Sequence, residues 1–332
     1  MTAGREGSSR LPARYAAPME GITGYLYRNA HRRVFGGADK YFTPFLAPGK
    51  KRGLRSRELS DILPEHNEGV PAVPQILTND WEDFLHTADI LKEYGYREIN
   101  LNLGCPSGTV VTKKRGSGFL AFPEDLDQFL DRIFSGTDMK ISVKTRIGME
   151  SPEEFGPLLE IFCRYPISEL IVHPRVQKDG YRNTPDRKAF SMALERAPFP
   201  VCYNGDLFSR EDVREFSEEF PQVETVMLGR GLIADPALAA GLDGGAAVTA
   251  ESFGTFHQEI LEGYCRIMSG DRNVLFKMKE LWFYMIHLFP DAGFFEKKLK
   301  KSSTVAEYSL WTERLLRERE ILPEADTAFL RR

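Results

Sequence analysis

Short runs of apolar and β-branched residues alternate with segments of helical period along the first two thirds of this 332-residue chain. We count eight such runs, at residues 15–19, 40–45, 72–77, 98–103, 140–146, 169–173, 200–204 and 224–228. This alternation is typical of parallel strands joined by crossover helices. Eight strand–helix units over about 240 residues match a closed barrel. The sequence therefore predicts an α/β fold, a (β/α)₈ TIM barrel, over residues 11–245.

Helix start signals lie between these runs. Asn79 followed by Glu82 predicts an N-cap, and Ser151 with Glu154 repeats that pattern. A third helix is predicted after Pro123, where a proline fits the first turn.

The pattern changes after residue 242, where no further strand is evident. Large apolar residues recur there at helical spacing. Leu275, Met278, Trp282, Met285 and Phe289 share one face, and Tyr308, Trp311 and Leu315 share another. We expect a smaller, all-α C-terminal domain over residues 250–332. Residues 1–10 are polar and rich in glycine and serine, which predicts a flexible extension.

Composition limits the function classes. No apolar run approaches the roughly 20 residues that span a bilayer, and no secretory leader is evident, so we expect a cytoplasmic protein without membrane contact. The four cysteines are far apart and form no Cys-x-x-Cys, which argues against a disulfide framework and a zinc site. We expect no metal.

The formal net charge of −4 argues against indiscriminate coating of nucleic acid but allows local basic surfaces. Three basic clusters are present: Lys50, Lys51, Arg52, Arg55 and Arg57; Lys113, Lys114 and Arg115; and Lys297, Lys298, Lys300 and Lys301. Each is equally well explained as a solvated face.

Nearly every predicted strand ends in polar residues, and the carboxyl ends of barrel strands carry the reactive groups of this fold. These residues are Glu20, Gln75, Asn102 with Cys105, Lys144 with Arg146, His173 with Arg175, Asn204-Gly205-Asp206, and Gly229-Arg230-Gly231. Any one has an ordinary structural explanation, such as a buried cysteine acting as a small hydrophobe or Lys144 pairing with a carboxylate. Their convergence on one rim predicts an active site.

The last two strand ends predict a phosphate site. Loops after strands seven and eight of such barrels commonly hold phosphate, and Gly205, Gly229 and Arg230 provide close backbone approach and a guanidinium. The glycines do not form the Gly-x-Gly-x-x-Gly turn of a dinucleotide fold. A cofactor ring across the mouth would then meet Gln75 at its edge, with Lys144 beside a developing anion such as that of a reduced flavin.

Together these motifs resemble the tRNA-dihydrouridine synthase family. The matching stretches are Ala17-Pro18-Met19-Glu20-Gly21-Ile22-Thr23, Pro74-Gln75, Leu101-Asn102-Leu103-Gly104-Cys105-Pro106, Val143-Lys144-Thr145-Arg146, Val172-His173-Pro174-Arg175, Asn204-Gly205-Asp206 and Gly229-Arg230-Gly231. The Asn-x-Gly-Cys-Pro run is the most specific. The resemblance implies an FMN barrel with a helical tRNA-binding domain, which reduces the C5–C6 bond of particular uridines with NADPH as electron donor.

The resemblance also implies roles for individual residues. It assigns FMN contacts to Pro18, Met19, Glu20, Gln75, Lys144, His173, Asn204, Gly205, Asp206, Gly229 and Arg230. It places Asn102, Lys144, His173 and Arg175 near the substrate uracil and makes Cys105 the general acid. A thiol with an ordinary pKa near 8.5 is mostly protonated at neutral pH and suits that role. The loop from Cys105 to Gly118 could close over the base.

Two departures from the family pattern leave the target uridine open. Gly108 stands where many relatives have a lysine, and Pro174 and Asp186-Arg187 replace other usual residues. Two alternatives also remain: an FMN barrel that reduces a small molecule, similar to dihydroorotate dehydrogenase or old yellow enzyme, and an RNA-binding relative without catalysis.

Overall fold

The computed structural model describes residues 11–49 and 53–331. The predicted extension at residues 1–10, and Lys50, Lys51 and Arg52 of the first basic cluster, lie outside these ranges.

Nine parallel strands form one sheet in the described residues. They are β1 Ala13–Ala16, β2 Lys40–Phe42, β3 Ala72–Val73, β4 Gln75–Ile76, β5 Glu98–Leu103, β6 Lys140–Arg146, β7 Leu170–His173, β8 Val201–Tyr203 and β9 Thr225–Leu228. The strand order is β3-β2-β1-β9-β8-β7-β6-β5-β4. The two outermost strands are separated only by Pro74, which has no N–H to donate to a ladder. The single strand predicted at residues 72–77 is thus divided into β3 and β4. Counted as one strand, these two complete the eight strands of the predicted barrel, which is confirmed.

Ten helices accompany the barrel strands in the described part of the chain. They are α1 Tyr25–Val34, α2 Ser56–Ile62, α3 Trp81–Glu93, α4 Gly108–Val111, α5 Pro123–Gly136, α6 Phe155–Phe162, α7 Arg187–Arg196, α8 Arg210–Glu219, α9 Arg230–Ala234 and α10 Leu238–Gly241. Short 3₁₀ segments lie at Pro64–His66, Gly116–Ala121, Pro152–Glu154, Gln177–Asp179, Ile286–Leu288 and Ala328–Arg331. Helix α5 begins at Pro123, as predicted.

The predicted N-cap of α3 was wrong by one residue. The Asp80 carboxylate accepts hydrogen bonds from the N–H groups of Glu82 and Asp83, at 2.9 and 3.3 Å. Asn79 instead accepts a bond from Arg115 Nε at 3.2 Å and so ties the Arg115 loop to the barrel. Both side chains suit an N-cap, and the loop contact decides between them.

Up to residue 331, where the described part of the chain stops, four α-helices follow the barrel: α11 Ala250–Ile267, α12 Asp271–Met285, α13 Gly293–Lys301 and α14 Val305–Glu318. The five apolar residues predicted to share a face, from Leu275 to Phe289, are all buried. The Trp282 indole N–H donates to the Tyr308 hydroxyl at 2.5 Å, which fastens α12 to α14. The described helices include none long and apolar enough to cross a membrane.

The helical region packs on the barrel mainly through α1. The Phe256 ring of α11 meets the Tyr27 ring of α1 edge to face, with centroids 5.5 Å apart. Both side chains belong to a buried apolar cluster that is separate from the main barrel core. The helices therefore flank the side of the barrel where β1 ends.

Candidate active site

A chain of amide side chains lies inside the barrel below its mouth. Asn100 and Asn102 alternate with apolar residues along β5, so both face the interior. The Gln75 amide nitrogen donates to Asn100 Oδ1 at 2.7 Å, and the Asn102 amide nitrogen donates to Gln75 Oε1 at 2.7 Å. All three side chains are buried. Gln75, expected at a cofactor edge, thus uses both ends of its amide to hold its neighbours.

Asn102 also fixes the residue expected to act as the acid. Its Oδ1 accepts hydrogen bonds from the N–H groups of Gly104 and Cys105, at 3.0 and 2.9 Å. On the other side, the Cys105 carbonyl accepts bonds from the Ser117 N–H and hydroxyl, at 3.1 and 2.9 Å. The Cys105 backbone is therefore held from both sides.

The loop that follows Cys105 is anchored at its far end. Gly116 has a φ of +57°, and a Cβ there would lie 2.8 Å from the Cys105 carbonyl oxygen. Residues 116–120 are buried, whereas residues 107–109 are exposed. Any closing movement thus belongs to the exposed part of the loop and not to its glycine-rich end.

The thiol and its charged neighbour have shifted pKa values. Burial raises the pKa of Cys105, so the thiol stays protonated at neutral pH. Lys144 pairs in register with Asn102 on the neighbouring strand. Burial, and then the positive charge of Arg146, lower the pKa of Lys144 to about 8. Within residues 11–49 and 53–331 no ion pair between Lys144 and a carboxylate is observed, and its titratable neighbours are Arg146, Cys202 and Cys105.

Asp206 joins two arginines from different loops. Its carboxylate accepts two bonds from Arg175, at 2.8 and 2.5 Å, and one from Arg230, at 3.0 Å. Arg175 also donates to His173 Nε2 at 3.1 Å, which leaves the imidazole proton on Nδ1. Burial, followed by the nearby positive charges, holds the pKa of His173 well below its ordinary value. The imidazole is therefore neutral.

Arg175 and Arg146 support loops. Arg175 Nε donates to the Arg182 and Asn183 carbonyl oxygens at 3.0 and 3.1 Å. Arg146 donates to the carbonyl oxygens of Gly104, Val176 and Gly180 at 3.1, 2.9 and 2.6 Å. Arg175, expected near the substrate ring, does not line the cavity described below, and its hydrogen bond to His173 orients that imidazole.

A cavity of about 510 Å³, counting its part open to solvent, lies at the barrel mouth. Nine of the expected cofactor residues line it: Pro18, Met19, Lys144, His173, Asn204, Gly205, Asp206, Gly229 and Arg230. Gln75 lies below it in the amide chain. Glu20 points elsewhere, since its exposed carboxylate pairs with Arg57.

The cavity wall fits a ligand with an anionic phosphate. A Cβ on Gly205 would lie 3.0 Å from the buried Tyr203 hydroxyl, so a side chain at this position of the wall would require its neighbours to shift. In the described part of the chain no acceptor is found for the N–H groups of Gly205, Asp206 and Gly229. Two arginines around one carboxylate, with Lys144 nearby, also leave the wall net positive.

Sequence reasoning missed two contributors. Tyr181 is 53% exposed on the cavity wall, and the Arg230 guanidinium carbon lies 4.5 Å from its ring centroid. Its only signal was an aromatic residue in the loop after a strand-end motif. Asn100 had a clearer signal, because polar residues at alternate positions of an apolar strand indicate an interior network.

Similarity to known proteins identifies the family of this chain. The sequence profile described as "Dihydrouridine synthase (Dus)" matches residues 15–317. The chain belongs to the dihydrouridine synthase family. This finding confirms the family expected from the motifs.

Named relatives align over most of their length. The chain is 30% identical to the tRNA-dihydrouridine(16) synthase of Pseudomonas putida, over 69% of this chain and 73% of that one. It is 26% identical to tRNA-dihydrouridine synthase B of Pasteurella multocida, over 70% and 69%. Among solved structures, morphinone reductase matches with a TM-score of 0.52 at 14% identity, over 74% of this chain and 89% of that one. This structural likeness shows the barrel fold alone.

Proposed function

We propose that this protein reduces the C5–C6 double bond of a uridine in tRNA, with FMN as cofactor and NADPH as electron donor. The observation that carries this proposal is the cationic cavity at the barrel mouth, which Lys144 lines. Cys105 is not part of its lining, but its backbone is held by Asn102, the residue paired in register with Lys144. Family membership and the tRNA named in the relatives' titles support this substrate.

The cavity residues form two groups, according to the part of the cofactor that each group would contact. Arg230 and the free N–H groups of Gly205 and Gly229 would hold its phosphate. Lys144 and His173 would lie along its ring. When bound, the flavin supplies the hydride for C6 of the uracil.

The protein's own side chains manage the charge and the proton. Lys144, with a pKa of about 8, is mostly an ammonium at neutral pH and stabilises negative charge that develops at the uracil O4. The Cys105 thiol, protonated because burial raises its pKa, delivers its proton to C5 from the opposite face. Asn102 fixes the backbone that carries this thiol.

The basic clusters and the helical region would hold the surrounding RNA in the cytoplasm. The target uridine must leave its stack to enter the barrel, at a cost of a few kcal/mol. On α13, the Lys298 ammonium lies 4.8 Å from the Trp311 ring centroid, and Lys297 and Lys301 are exposed nearby. Phosphate contacts of this kind make tRNA affinity fall steeply with salt.

The test is to incubate the protein with FMN, NADPH and a tRNA transcript without modifications. Nucleoside mass spectrometry should then detect dihydrouridine, and oligonucleotide mapping should give its position. Free uridine in place of tRNA should remain unreduced. Absence of dihydrouridine with fully flavinated protein would overturn the proposal, and reduction of free uridine at the same rate would indicate a small-molecule reductase.

A further inference from the structure

A second cavity opens beside the barrel mouth, between the barrel and the helical region. It encloses about 980 Å³ counting its part open to solvent, and Tyr25, Arg57, Tyr264, Ile267 and Lys277 are among its lining residues. Its lining shares no residue with that of the first cavity. The reaction proposed above therefore leaves it without a role.

Tyr25 gives this cavity a fixed aromatic wall. The ring stacks on the His66 ring, with centroids 4.2 Å apart and planes 8° apart. The Tyr25 backbone N–H donates to Asp61 Oδ1 at 2.7 Å, and His66 Nδ1 bonds the Ser60 carbonyl at 2.7 Å. A ring held in this way offers a stacking surface with little conformational entropy left to lose.

Cations and an exposed apolar side chain flank the ring. Arg57, which is half exposed, pairs with Glu20. Lys277 pairs with Glu280 at 2.7 Å and also donates to the Gly21 carbonyl at 3.0 Å, so a phosphate would compete with these carboxylates for both cations. Ile267, which also lines the cavity, is 54% exposed. Aromatic rings between side-chain cations are the chemistry with which proteins hold unpaired nucleotides.

The two cavities are close enough for one RNA strand to enter both. Met19 lines the first cavity and Gly21 lines the second. Their Cα atoms are at most about 7.6 Å apart, since consecutive Cα atoms are 3.8 Å apart. The walls of the two cavities therefore adjoin, and a strand with its uridine in the barrel mouth can reach the second cavity with a nearby nucleotide.

We propose that the second cavity binds an unstacked base of the same RNA that supplies the reduced uridine. The base stacks on Tyr25, and its flanking phosphates lie near Arg57 and Lys277. This inference rests on the proposed function and adds to it a second nucleotide-binding site, which draws the target uridine toward the barrel.

The first test compares Tyr25→Ala with Tyr25→Phe, which keeps the ring. Stacking of one base predicts about a tenfold increase in the Kd for unmodified tRNA in Tyr25→Ala. Tyr25→Phe should stay within about twofold of wild type, and neither change should alter flavin content or the rate of NADPH oxidation without tRNA. Unchanged tRNA affinity in Tyr25→Ala, or equal losses in both variants, would overturn the proposal.

A second pair of variants, at the lining residue Ile267, keeps the inference testable if Tyr25→Ala does not fold. Ile267→Trp should fill the cavity and raise the Kd for tRNA, whereas Ile267→Leu should not. If the KM for NADPH rises instead, the cavity belongs to the nicotinamide nucleotide and the inference is wrong. If wild type forms dihydrouridine but all four variants bind tRNA alike, this inference alone fails. A wild type that forms no dihydrouridine refutes the proposed function itself.

Discussion

Replacement of Asn102 by alanine tests whether the interior amide chain positions the acid. The change removes three hydrogen bonds: to Gln75, and from the N–H groups of Gly104 and Cys105. At about 1 kcal/mol per bond, the free energy of unfolding should fall by roughly 3 kcal/mol. This leaves a folded protein, because domains of this kind are stable by about 5–15 kcal/mol.

The catalytic effect should be larger than the loss of stability suggests. Without Asn102 the Cys105 N–H loses its acceptor, and a shift of about 1 Å in a reacting group costs roughly 100-fold in rate. Dihydrouridine formation under single-turnover conditions should fall by that factor, while flavin reduction by NADPH is unchanged. Stopped-flow absorbance and mass spectrometry measure the two steps separately.

Asn100→Ala is the matched control. It removes two bonds of the same chain, to Gln75 and Ser142, but leaves the Cys105 N–H paired with Asn102. We expect a similar loss of stability with a rate within a few fold of wild type. A wild-type rate in Asn102→Ala, or an equal rate loss in Asn100→Ala, would refute the reasoning. In the Asn102→Ala/Cys105→Ala double variant the rate losses should not multiply, because both act on one step.

Four further predictions follow from the same geometry. Cys105→Ala should keep its flavin and oxidise NADPH but lose about 10²- to 10⁴-fold in tRNA reduction, and an unchanged yield of dihydrouridine would remove the acid role. Arg230→Ala should bind FMN roughly 10- to 100-fold more weakly, as measured by flavin absorbance after dialysis, and a fully flavinated variant would count against the phosphate assignment. The rate of tRNA reduction should fall as pH rises through about 8, where Lys144 loses its charge, and a profile flat to pH 10 would contradict this. Burial lowers the pKa of His31 to about 4, so unfolded chains bind more protons below pH 6.5, and His31 alone should contribute a loss of roughly 2 kcal/mol between pH 7 and pH 5, measured as the difference between wild type and His31→Phe in urea titrations.

Local patterns predicted the strands well where the chain is regular. Strands β5 and β6 have the predicted bounds because their apolar runs end at the barrel mouth. Strand β1 ends at Ala16, earlier than predicted, since Pro18 cannot join a ladder although the apolar run continues past it. The pattern of apolar residues indicates which residues are buried, whereas the residue at which a strand ends depends on backbone hydrogen bonds.

The site was predictable as a set of positions but not as a set of contacts. Strand-end motifs identified His173, Asp206 and Arg230, because parallel strands end at one rim. That one carboxylate joins two arginines depends on how separate loops pack. Glu20, expected to contact the cofactor, does not line the cavity. Its ion pair with Arg57 on α2 also depends on how separate segments pack.

The second cavity could not be predicted at all from sequence patterns. Helical periodicity in α11 and α12 identifies a buried face but not what that face packs against. The cavity exists only because these helices rest beside the end of β1. Its aromatic wall, Tyr25, also depends on a stack with His66 from another segment.

The most direct test of the proposed reaction is to measure, without oxygen, whether unmodified tRNA reoxidises the reduced flavin of this protein. Protein with its flavin reduced by one equivalent of NADPH is mixed with unmodified tRNA, and the absorbance of oxidised flavin is followed. We predict that this absorbance returns with formation of one dihydrouridine per flavin, and that tRNA already carrying the modification gives no signal. Flavin that stays reduced in the presence of unmodified tRNA would contradict the account.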